Sequence, residues 1–335
     1  MVPMSGSAGI WGPSSISCAQ LAINEINAAR GIGGREVEPV YLDADDSVMD
    51  DTAAVLEELI EEEAVDAIVG MHVSSVRLRF KHAVRERIPY IYTPLYEGDE
   101  PSPTVFTIGE TPREYLGPVL HDLAARLKVR RWALVGNDYV WPRASHHYAK
   151  DAITALGGQV VFESYVPFGI EEPVELVDKV AATRPDIVIV SLIGQDAVEF
   201  NRVFGALDLD RRMARFSTAI EENVLLATGA ESTKRLYAAS SYFSTLATPG
   251  NVAFKERYHS LHRERAPVLN SLGQSMYEGM HFYAALAQSG PGRRGEPIRH
   301  ISARGGCFLR NDRKENPIYL ARADGHLFSV LDRID

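Results

Sequence analysis

Residues 132–143 read WALVGNDYVWPR, and this stretch decides how the rest of the chain is interpreted. The apolar run 132–135 is typical of a buried strand in a parallel sheet, and residues 144–156 have the pattern of a helix. In open α/β proteins, ligands bind at the loops that leave the carboxyl ends of strands. The loop 136–143 carries Tyr139 and Trp141 two positions apart, next to Pro142. This composition favours an aromatic wall for a small, partly apolar ligand over a reaction centre.

The composition excludes several classes of protein. The chain has 335 residues, of which 45% are hydrophobic and 24% charged, which is ordinary for a globular protein and long enough for two lobes. A net charge of −10 disfavours a nucleic-acid partner, which would need a basic surface. No run reaches the roughly 18 to 20 apolar residues of a membrane-spanning helix. Cys18 and Cys307 are too few for a disulfide framework, and the sequence does not decide whether they are free.

Strands and helices alternate along the chain. Helical periodicity predicts helices over 13–29, 48–64, 74–85, 112–127, 144–156, 173–182, 195–205, 220–228, 248–265 and 270–289. Thr111 to Glu114 has the spacing of a capping box, with Pro112 at the first helical position. Apolar or alternating runs predict strands at the chain start and over 36–43, 65–69, 88–93, 104–108, 131–135, 158–165, 185–191 and 216–218. Strands separated by helices imply parallel, doubly wound sheets.

The tail of the chain has a different pattern. From Gly306 onwards the sequence predicts short strands at 307–309, 318–321 and 327–330, with turns at 311–312 and 323–325. Two such blocks along the chain indicate an α/β protein of two lobes with a cleft between them.

Two further strand ends in the first half are candidates for ligand contacts. Gly6 to Gly12 has the spacing G-x-x-G-x-x-G, which differs from the dinucleotide fingerprint, so a plain strand-to-helix turn is favoured. Trp11 in this turn could cover a ligand or simply pack. Gly70 to Ser75 follows the strand 65–69, and serine hydroxyls with free N–H groups at a helix start can hold an oxygen atom. Ser74 could equally be only the helix cap.

Residues 91–98 read IYTPLYEG and follow the next predicted strand. Tyr92, Thr93 and Pro94 suit a wall for a small ligand, and a purely structural turn suits them equally well. Glu221 and Glu222 follow the strand 216–218, and one of them could meet an amine of a ligand. The favoured alternative is a charge that stabilises the N-terminus of the next helix.

Signatures of enzymes and metal sites are weak. The sequence contains no nucleophile elbow, Walker loop or zinc-protease motif, so we assign no catalytic residue, metal or cofactor. Glu256, His259 and His262 share a helical spacing, but a solvated helix face is favoured over a metal site. His146–His147 is expected at the surface, and Cys18 is expected to be a small buried side chain.

Several of these segments together resemble a known family, the type 1 periplasmic binding proteins. These are solute receptors of the branched-chain amino acid and amide transporters. Residues 3–6, 22–27 (AINEIN) and 31–34 resemble the family as a whole. Residues 136–143, 93–98 and 242–249 are similar to the amide and urea branch, which includes a cytoplasmic amide sensor that represses antitermination of an amidase operon. The resemblance covers about residues 1 to 330.

The resemblance implies two doubly wound, Rossmann-like lobes joined by three crossings, a three-strand hinge, with the ligand in the cleft between them. The N-terminal lobe would then comprise residues 1–109 and 240–305, and the C-terminal lobe residues 110–239 and 306–335. The chain departs from the amide sensor at His72, where the sensor has Tyr. It also departs at Pro94 and Trp141, where the sensor has Thr and Tyr. The resemblance places ligand contacts at Ser74, Tyr92, Thr93, Pro94, Tyr139, Trp141, Ile193 and Ile220. The strand-end patterns add Trp11, Ser75 and Glu221 to these candidates.

The expected function is a non-catalytic solute-binding receptor of an ABC-type transporter. It would close on a small amide, urea or amino acid and meet a transporter permease or a regulatory protein, as a monomer or weak dimer. One alternative is a cytoplasmic amide-sensing regulator of an amidase operon. An alternative of another class is a hydrolase that acts on amides in the same cleft.

The beginning of the chain bears on its expected location. Residues 1–7 lack the basic and apolar regions of a signal peptide, and the chain begins inside its first predicted strand. A periplasmic location is expected if a signal peptide was removed, and a cytoplasmic one if Met1 is near the native start. The periplasmic location is favoured.

Overall fold

The computed structural model describes residues 1–289, 297–300, 302–305, 308–309, 313–314 and 316–334. The backbone divides into two compact units: unit 1 contains residues 1–110 and 246–317, and unit 2 contains residues 111–245 and 318–335. The chain therefore passes from one unit to the other three times. Cys307 and the turn predicted at 311–312 lie outside the described residues.

Helices and strands alternate through most of the described chain, and the two units contain parallel sheets, which confirms the predicted fold class. The helices are α1 (Gly12–Ala28), α2 (Met49–Glu61), α3 (Ser74–Val84), α4 (Pro112–Leu127), α5 (Val140–Ala155), α6 (Pro173–Ala182), α7 (Gly194–Ala206), α8 (Glu222–Thr228), α9 (Pro249–His262) and α10 (Ser271–Gln288). The strands are β1 (Ile68–Gly70), β2 (Tyr90–Tyr92), β3 (Val105–Thr107), β4 (Arg131–Asn137), β5 (Gln159–Val166), β6 (Ile187–Ser191), β7 (Ala214–Ser217), β8 (Leu236–Ser240), β9 (Pro297–Ile298), β10 (Phe308–Leu309), β11 (Arg313–Lys314), β12 (Ile318–Asp324) and β13 (Leu327–Ile334).

The main sheet of unit 1 is parallel and built from short strands. β1, β2 and β3 lie side by side in that order. The chain start joins this sheet through a parallel bridge between Val2 and Asp43, and on its other side the Met1 carbonyl accepts a hydrogen bond from the N–H of Met71 at 3.0 Å. The spatial order is therefore residues 42–44, the chain start, β1, β2 and β3. This is the strand order 2-1-3-4-5 of a doubly wound sheet.

The strand predicted over 36–43 is wrong for most of its length, since within this segment the described structure has a strand-like pair at Asp43 alone. Val37 is held by helix α1 instead of by a neighbouring strand. The side-chain amide of Asn27 donates to the Val37 carbonyl at 3.0 Å and accepts from the Val37 N–H at 2.8 Å. Alternating apolar residues are not sufficient for a strand, because a strand also needs a paired neighbour at about 4.8 Å.

Unit 2 contains a seven-stranded sheet in the order β13-β12-β8-β7-β6-β4-β5. β4 to β8 are parallel, and β12 pairs antiparallel with both β8 and β13, which confirms the two strands predicted in the tail after residue 317. β8 was not predicted from the sequence. It reads LYAAS, and its small residues lack the β-branched pattern that identifies most buried strands.

Helix α5 begins at Val140 rather than at residue 144, so the predicted aromatic loop is shorter than expected. Tyr139 is its N-cap residue, and Trp141 and Pro142 lie in its first turn, where a proline is tolerated. The capping box at the start of α4 is confirmed, because the Glu114 carboxylate accepts a hydrogen bond from the Thr111 N–H at 2.7 Å.

Glu25 of α1 connects three helices of unit 1. Its carboxylate accepts hydrogen bonds from Arg257 of α9 (2.7 Å) and from Tyr277 (2.7 Å) and His281 (3.0 Å) of α10. Burial by itself raises the pKa of this carboxyl group. The hydrogen bonds from His281, Tyr277 and Arg257 outweigh burial and lower the pKa from 4.5 to about 2.

Glu25→Gln is expected to reduce the acid sensitivity of the fold. The folded pKa lies below the unfolded value, so the ionised Glu25 stabilises the protein above about pH 4.5, and this contribution is lost as the pH falls towards 2. Urea unfolding between pH 5 and pH 2.5 should show a flatter loss of stability for the variant than for the wild type. The exposed Glu61 provides the matched control, Glu61→Gln. Equal slopes for all three proteins would contradict the prediction.

Candidate functional site

The carboxyl ends of β4 and β6 form the topological switch point of unit 2, because the chain places β5 and β6 on opposite sides of β4. Ligands of open α/β sheets bind at such points. Asn137, the last residue of β4, is 0% exposed and lies there. Its Oδ1 accepts from the N–H of Ile193 at 3.0 Å, and its Nδ2 donates to Asp196 at 2.7 Å. Asn137 therefore fixes the start of α7 relative to the end of β4.

Two of the predicted aromatic residues follow Asn137 directly. The Tyr139 ring centroid lies 5.1 Å from that of Phe168 and 6.3 Å from that of Trp141. Trp141 is 3% exposed, and its indole Nε1 is buried without a hydrogen-bond partner among the described residues. Buried indole N–H groups normally find an acceptor. Trp141 therefore stays a candidate for a ligand contact at the switch point of unit 2.

His146 is fully buried beside the switch point, so its predicted surface position is wrong, whereas His147 is exposed as predicted. The Nδ1 of His146 lies 3.1 Å from the Tyr165 hydroxyl, and its Nε2 lies 3.1 Å from Ser191 Oγ. Burial lowers the His146 pKa to about 4, so the ring is neutral at pH 7. Because Tyr165 donates its own proton to Glu163 at 2.7 Å, His146 carries its proton on Nδ1 and accepts from Ser191. This chain of hydrogen bonds holds Ser191 at the end of β6.

The remaining candidates of unit 2 lie at helix starts. Ile193 and Ile220 are buried apolar side chains just before α7 and α8. Glu221 is the N-cap residue of α8 and is 3% exposed. Glu222 is the first helical residue, and its carboxylate accepts from the N–H of Ser244 at 2.7 Å. Both acids thus lie where the helix dipole stabilises negative charge, which was the favoured alternative to a ligand contact.

In unit 1, the ends of β1 and β2 carry a buried hydrogen-bonded cluster around His72. Its Nε2 accepts from the Tyr90 hydroxyl at 2.8 Å, and its Nδ1 lies 3.1 Å from the Val73 carbonyl. Tyr92 donates to the His72 carbonyl at 2.7 Å, and Ser74 Oγ lies 3.4 Å from the Tyr92 hydroxyl. Desolvation lowers the His72 pKa to about 3, so the imidazole is neutral. The structure therefore brings the candidates Ser74 and Tyr92 together in one network.

The start of α3 differs from the sequence-based interpretation in one respect. Val73, not Ser74, is the N-cap residue, and no side chain caps this helix. Ser74 is the first helical residue and is 2% exposed. The hydroxyl of Ser75 donates to Asp46 at 2.6 Å. A helix of eleven residues without a side-chain cap presents its first N–H groups as donors for an anionic or carbonyl oxygen.

Thr93, Pro94 and Trp11 are closely packed within unit 1. Thr93 Oγ1 lies 2.9 Å from the Ser275 hydroxyl of α10. Pro94 is buried, and its carbonyl approaches Gly109 so closely that a Cβ at that glycine would overlap it. Trp11 ends a short 3-10 turn, Gly9–Trp11, and is 3% exposed. These three residues remain candidates with clear packing roles.

Arg77 was missed by the sequence analysis. It is 2% exposed and forms buried ion pairs with Glu97 and Glu100. Its guanidinium carbon lies 5.4 Å and 5.7 Å from the ring centroids of Tyr92 and Tyr96. Arg77 therefore ties α3 to the loop that follows β2. The one signal in the sequence is its position three residues before the buried Phe80, on the apolar face of the helix.

Within the described residues, no three His, Cys, Asp or Glu side chains are grouped closely enough to hold a metal ion. His259 is exposed, and His262 contacts the Ser17 carbonyl at 2.9 Å. Cys18 is buried as predicted, and burial raises the pKa of its thiol. The helices of the described chain include none with the length and apolar character that crossing a membrane requires.

Known structures share this fold. A solute-binding protein of an ABC transporter from Rhodopseudomonas palustris BisB5, in complex with 3,4-dihydroxybenzoic acid, matches with a TM-score of 0.86 and 20% identity, over 100% of this chain and 95% of that chain. A solute-binding protein from R. palustris in complex with benzoate matches with a TM-score of 0.84 and 18% identity, over 99% and 94%. A branched-chain amino acid transporter substrate-binding protein from Streptococcus pneumoniae, in complex with isoleucine, matches with a TM-score of 0.84 and 17% identity, over 98% and 97%.

A family model described as "Periplasmic binding protein" matches residues 1–299. The resemblance noted from the sequence is thereby confirmed at the level of the family. The match extends over most of both units. The chain belongs to the periplasmic binding protein family.

Proposed function

We propose that the protein is the solute-binding receptor of an ABC-type transporter and that it binds a small molecule with a carboxylate, amide or urea group attached to an apolar body. The family supports non-catalytic binding of a solute. Its structural neighbours hold benzoate, 3,4-dihydroxybenzoic acid and isoleucine. The observation that carries the proposal is the buried indole N–H of Trp141 without a partner at the switch point of unit 2. An amide or urea fits as well as a carboxylate, because their oxygens accept the same hydrogen bonds.

The candidate residues divide into donors and apolar walls. Trp141 Nε1 would donate to a ligand oxygen, and Tyr139 with Phe168 would cover the apolar body. In unit 1, the uncapped N–H groups at the start of α3, together with Ser74, would hold an oxygen. The same proposal includes a hinge motion that closes the protein on the ligand. The three chain segments that cross from one unit to the other would form the hinge.

Trp141→Phe is expected to weaken binding of the cognate ligand about 5- to 150-fold, equivalent to roughly 1–3 kcal/mol for a lost buried donor. The ring keeps most of its apolar area, so the loss reports mainly on the N–H group. Trp132→Phe is the matched control, since Trp132 also has a buried indole N–H without a partner among the described residues but lies near the opposite end of β4. Isothermal titration calorimetry should show lost affinity for Trp141→Phe alone. Equal affinities for both variants would remove Trp141 from the site.

The ligand class can be found by a thermal-shift screen of aromatic carboxylates, branched-chain amino acids, aliphatic amides and ureas. A receptor is expected to show a melting temperature that rises with ligand concentration. The ligand should also be recovered chemically intact after incubation with the pure protein. Turnover of an amide to its acid would favour the hydrolase alternative instead.

A periplasmic location belongs to this proposal, and the cytoplasmic amide sensor stays as the second candidate. The likeness of residues 136–143 to the amide branch is the observation that favours the sensor. Fractionation of the native host, with an antibody against the protein, separates the two candidates. Recovery in the periplasmic fraction supports the transport receptor, whereas cytoplasmic recovery with a bound regulatory protein supports the sensor.

A further inference from the structure

Trp141 and Ser145 lie one turn apart at the start of α5, and each carries a buried polar group without a hydrogen-bond partner among the described residues. In Trp141 this group is the indole Nε1, and in Ser145 it is the hydroxyl Oγ. Trp141 is 3% exposed and Ser145 is 4% exposed. Side chains four positions apart on a helix are neighbours on its surface. Two unsatisfied polar groups are therefore adjacent, whereas buried polar groups are normally paired.

The same spacing occurs at the start of α1, where the serine is satisfied. Trp11 and Ser15 are also four positions apart, and the buried hydroxyl of Ser15 donates to the Trp11 carbonyl at 2.8 Å. Donation to the carbonyl four residues earlier is a common way for a helical serine to use its proton. Ser145 does not form the equivalent bond to Trp141, so its hydroxyl still has a proton to donate.

The geometry of α5 brings the two groups towards the carboxyl end of β4. α5 begins at Val140, three residues after β4 ends at Asn137. The Cα–Cβ bonds of a helix tilt towards its N-terminus, so the side chain of Ser145 leans back towards the turn that carries Trp141. Both groups thus lie at the switch point of unit 2, where ligands of open α/β sheets bind.

Two neighbouring polar side chains already have partners within unit 2. The amide of Asn137 both accepts and donates a hydrogen bond there. Both ring nitrogens of His146 lie at hydrogen-bond distance from hydroxyl groups. An indole N–H can only donate, and the hydroxyl of Ser145 has a proton available. The partner that suits both is therefore an acceptor with two lone pairs, such as a carbonyl or carboxylate oxygen.

We infer that Ser145 is a further ligand-binding residue and that it determines specificity together with Trp141, because both donate to one oxygen of a carboxylate, amide or urea group. This inference rests on the proposed function and adds a residue that the sequence analysis did not identify. Since both groups act as donors, an ammonium or alkyl group at the same place would leave them unpaired. The subsite therefore selects an oxygen over these groups.

The first test uses the ligand-free protein and compares Ser145→Ala with Ser15→Ala. Ser145→Ala should leave the melting temperature unchanged or raise it by about 1–3 °C, because it removes an unsatisfied buried group. Ser15→Ala removes a hydrogen bond that is made, so it should lower the melting temperature. A fall for Ser145→Ala as large as that for Ser15→Ala would overturn the inference, since the hydroxyl would then serve the fold.

The second test measures binding by isothermal titration calorimetry, with benzoate, isoleucine, isobutyramide and methylurea as probes. For a probe that binds the wild type, Ser145→Ala and Trp141→Phe should each weaken binding by about fivefold or more. The double variant should lose less than the product of the two single losses, because both donors serve one oxygen. Thr154→Ala is the control on the same helix, since this hydroxyl donates to the Lys150 carbonyl, and it should bind like the wild type.

The outcomes separate this inference from the proposed function. Unchanged affinity of Ser145→Ala for a probe that Trp141→Phe weakens would overturn the inference and leave the proposed function standing. Single losses that multiply in the double variant would overturn the shared oxygen. If none of the four probes binds the wild type, that result counts against the proposed function, and the melting temperatures of the ligand-free variants then decide whether Ser145 serves the fold.

Discussion

Replacing Arg77 with Ala is expected to lower the free energy of unfolding by about 3–5 kcal/mol, because it leaves buried carboxylates without their partner. Arg77 and Glu100 are both 2% exposed, and Glu97 is 11% exposed. Lys81 can still reach Glu100, but Glu97 would lose the cation that compensates its burial. The loop after β2 should detach from α3, so the loss should appear in urea unfolding and as faster hydrogen exchange over residues 94–100.

Two variants test whether the buried charge causes this loss. The triple variant Arg77→Met, Glu97→Gln and Glu100→Gln should recover much of the stability, since no carboxylate of the cluster remains uncompensated. Arg79→Met removes a neighbouring arginine whose ion pair with Asp50 is exposed, and it should cost under about 1 kcal/mol. A loss as large in Arg79→Met would show that the helix, not the buried ion pairs, is the sensitive element.

Asn137→Ala is expected to cost about 3 kcal/mol and to weaken ligand binding as well. The substitution leaves the buried Ile193 N–H without its acceptor and removes a donor from Asp196. Asp196 lies in the first turn of α7 and also accepts from the N–H groups of Gly169 and Ile170, so it links the loop after β5 to the start of α7. Urea unfolding and calorimetry measure the two effects on the same preparations.

Asn137→Asp keeps the size of the side chain and provides the sharper test. It places a second carboxylate at hydrogen-bond distance from Asp196, so one of the pair must hold a proton, and the pKa of the pair rises. A carboxyl group with a raised folded pKa stabilises at low pH, and its contribution is lost as the pH rises. As the pH falls from 7 to 5, the free energy of unfolding of the variant should therefore rise relative to that of the wild type. Asp138→Asn, at a neighbouring exposed position, is the control, and its stability relative to the wild type should not rise over this pH range.

The sequence predicted the architecture where the physical signal was strong. Ile187–Ser191, which reads IVIVS, is buried at every position and was identified as a strand. β8, which reads LYAAS, is equally central but has no such signal, because its environment is set by β7 and β12, distant in sequence. The segment 36–43 shows the opposite error, since it has the alternation of a strand but largely lacks a paired neighbour.

The candidate site was less predictable because it depends on which helix face is buried. His146 and His147 are adjacent in sequence, and only His146 lies on the buried face of α5, which also carries Pro142, Ala149 and Ile153. Arg77 depends on Glu97 and Glu100, about twenty positions away, which no local pattern connects to it. The positions of Ser74, Tyr92 and Tyr139 were identified as candidates because they lie at or just after the carboxyl ends of strands, which are general ligand positions. Their roles in binding stay predictions.

The discontinuity of unit 1 affects how the protein emerges during synthesis. Residues 111–245 are continuous and supply all five parallel strands of unit 2, so this part can assemble as soon as it leaves the ribosome. Helix α1 must wait for α10, which packs along it and is translated more than two hundred residues later. We therefore expect unit 2 to fold before unit 1, the reverse of the usual order in which the N-terminal domain folds first. Until α10 is translated, the apolar face of α1 lacks its partner. This face is therefore the surface that a nascent-chain chaperone would have to cover for the longest time.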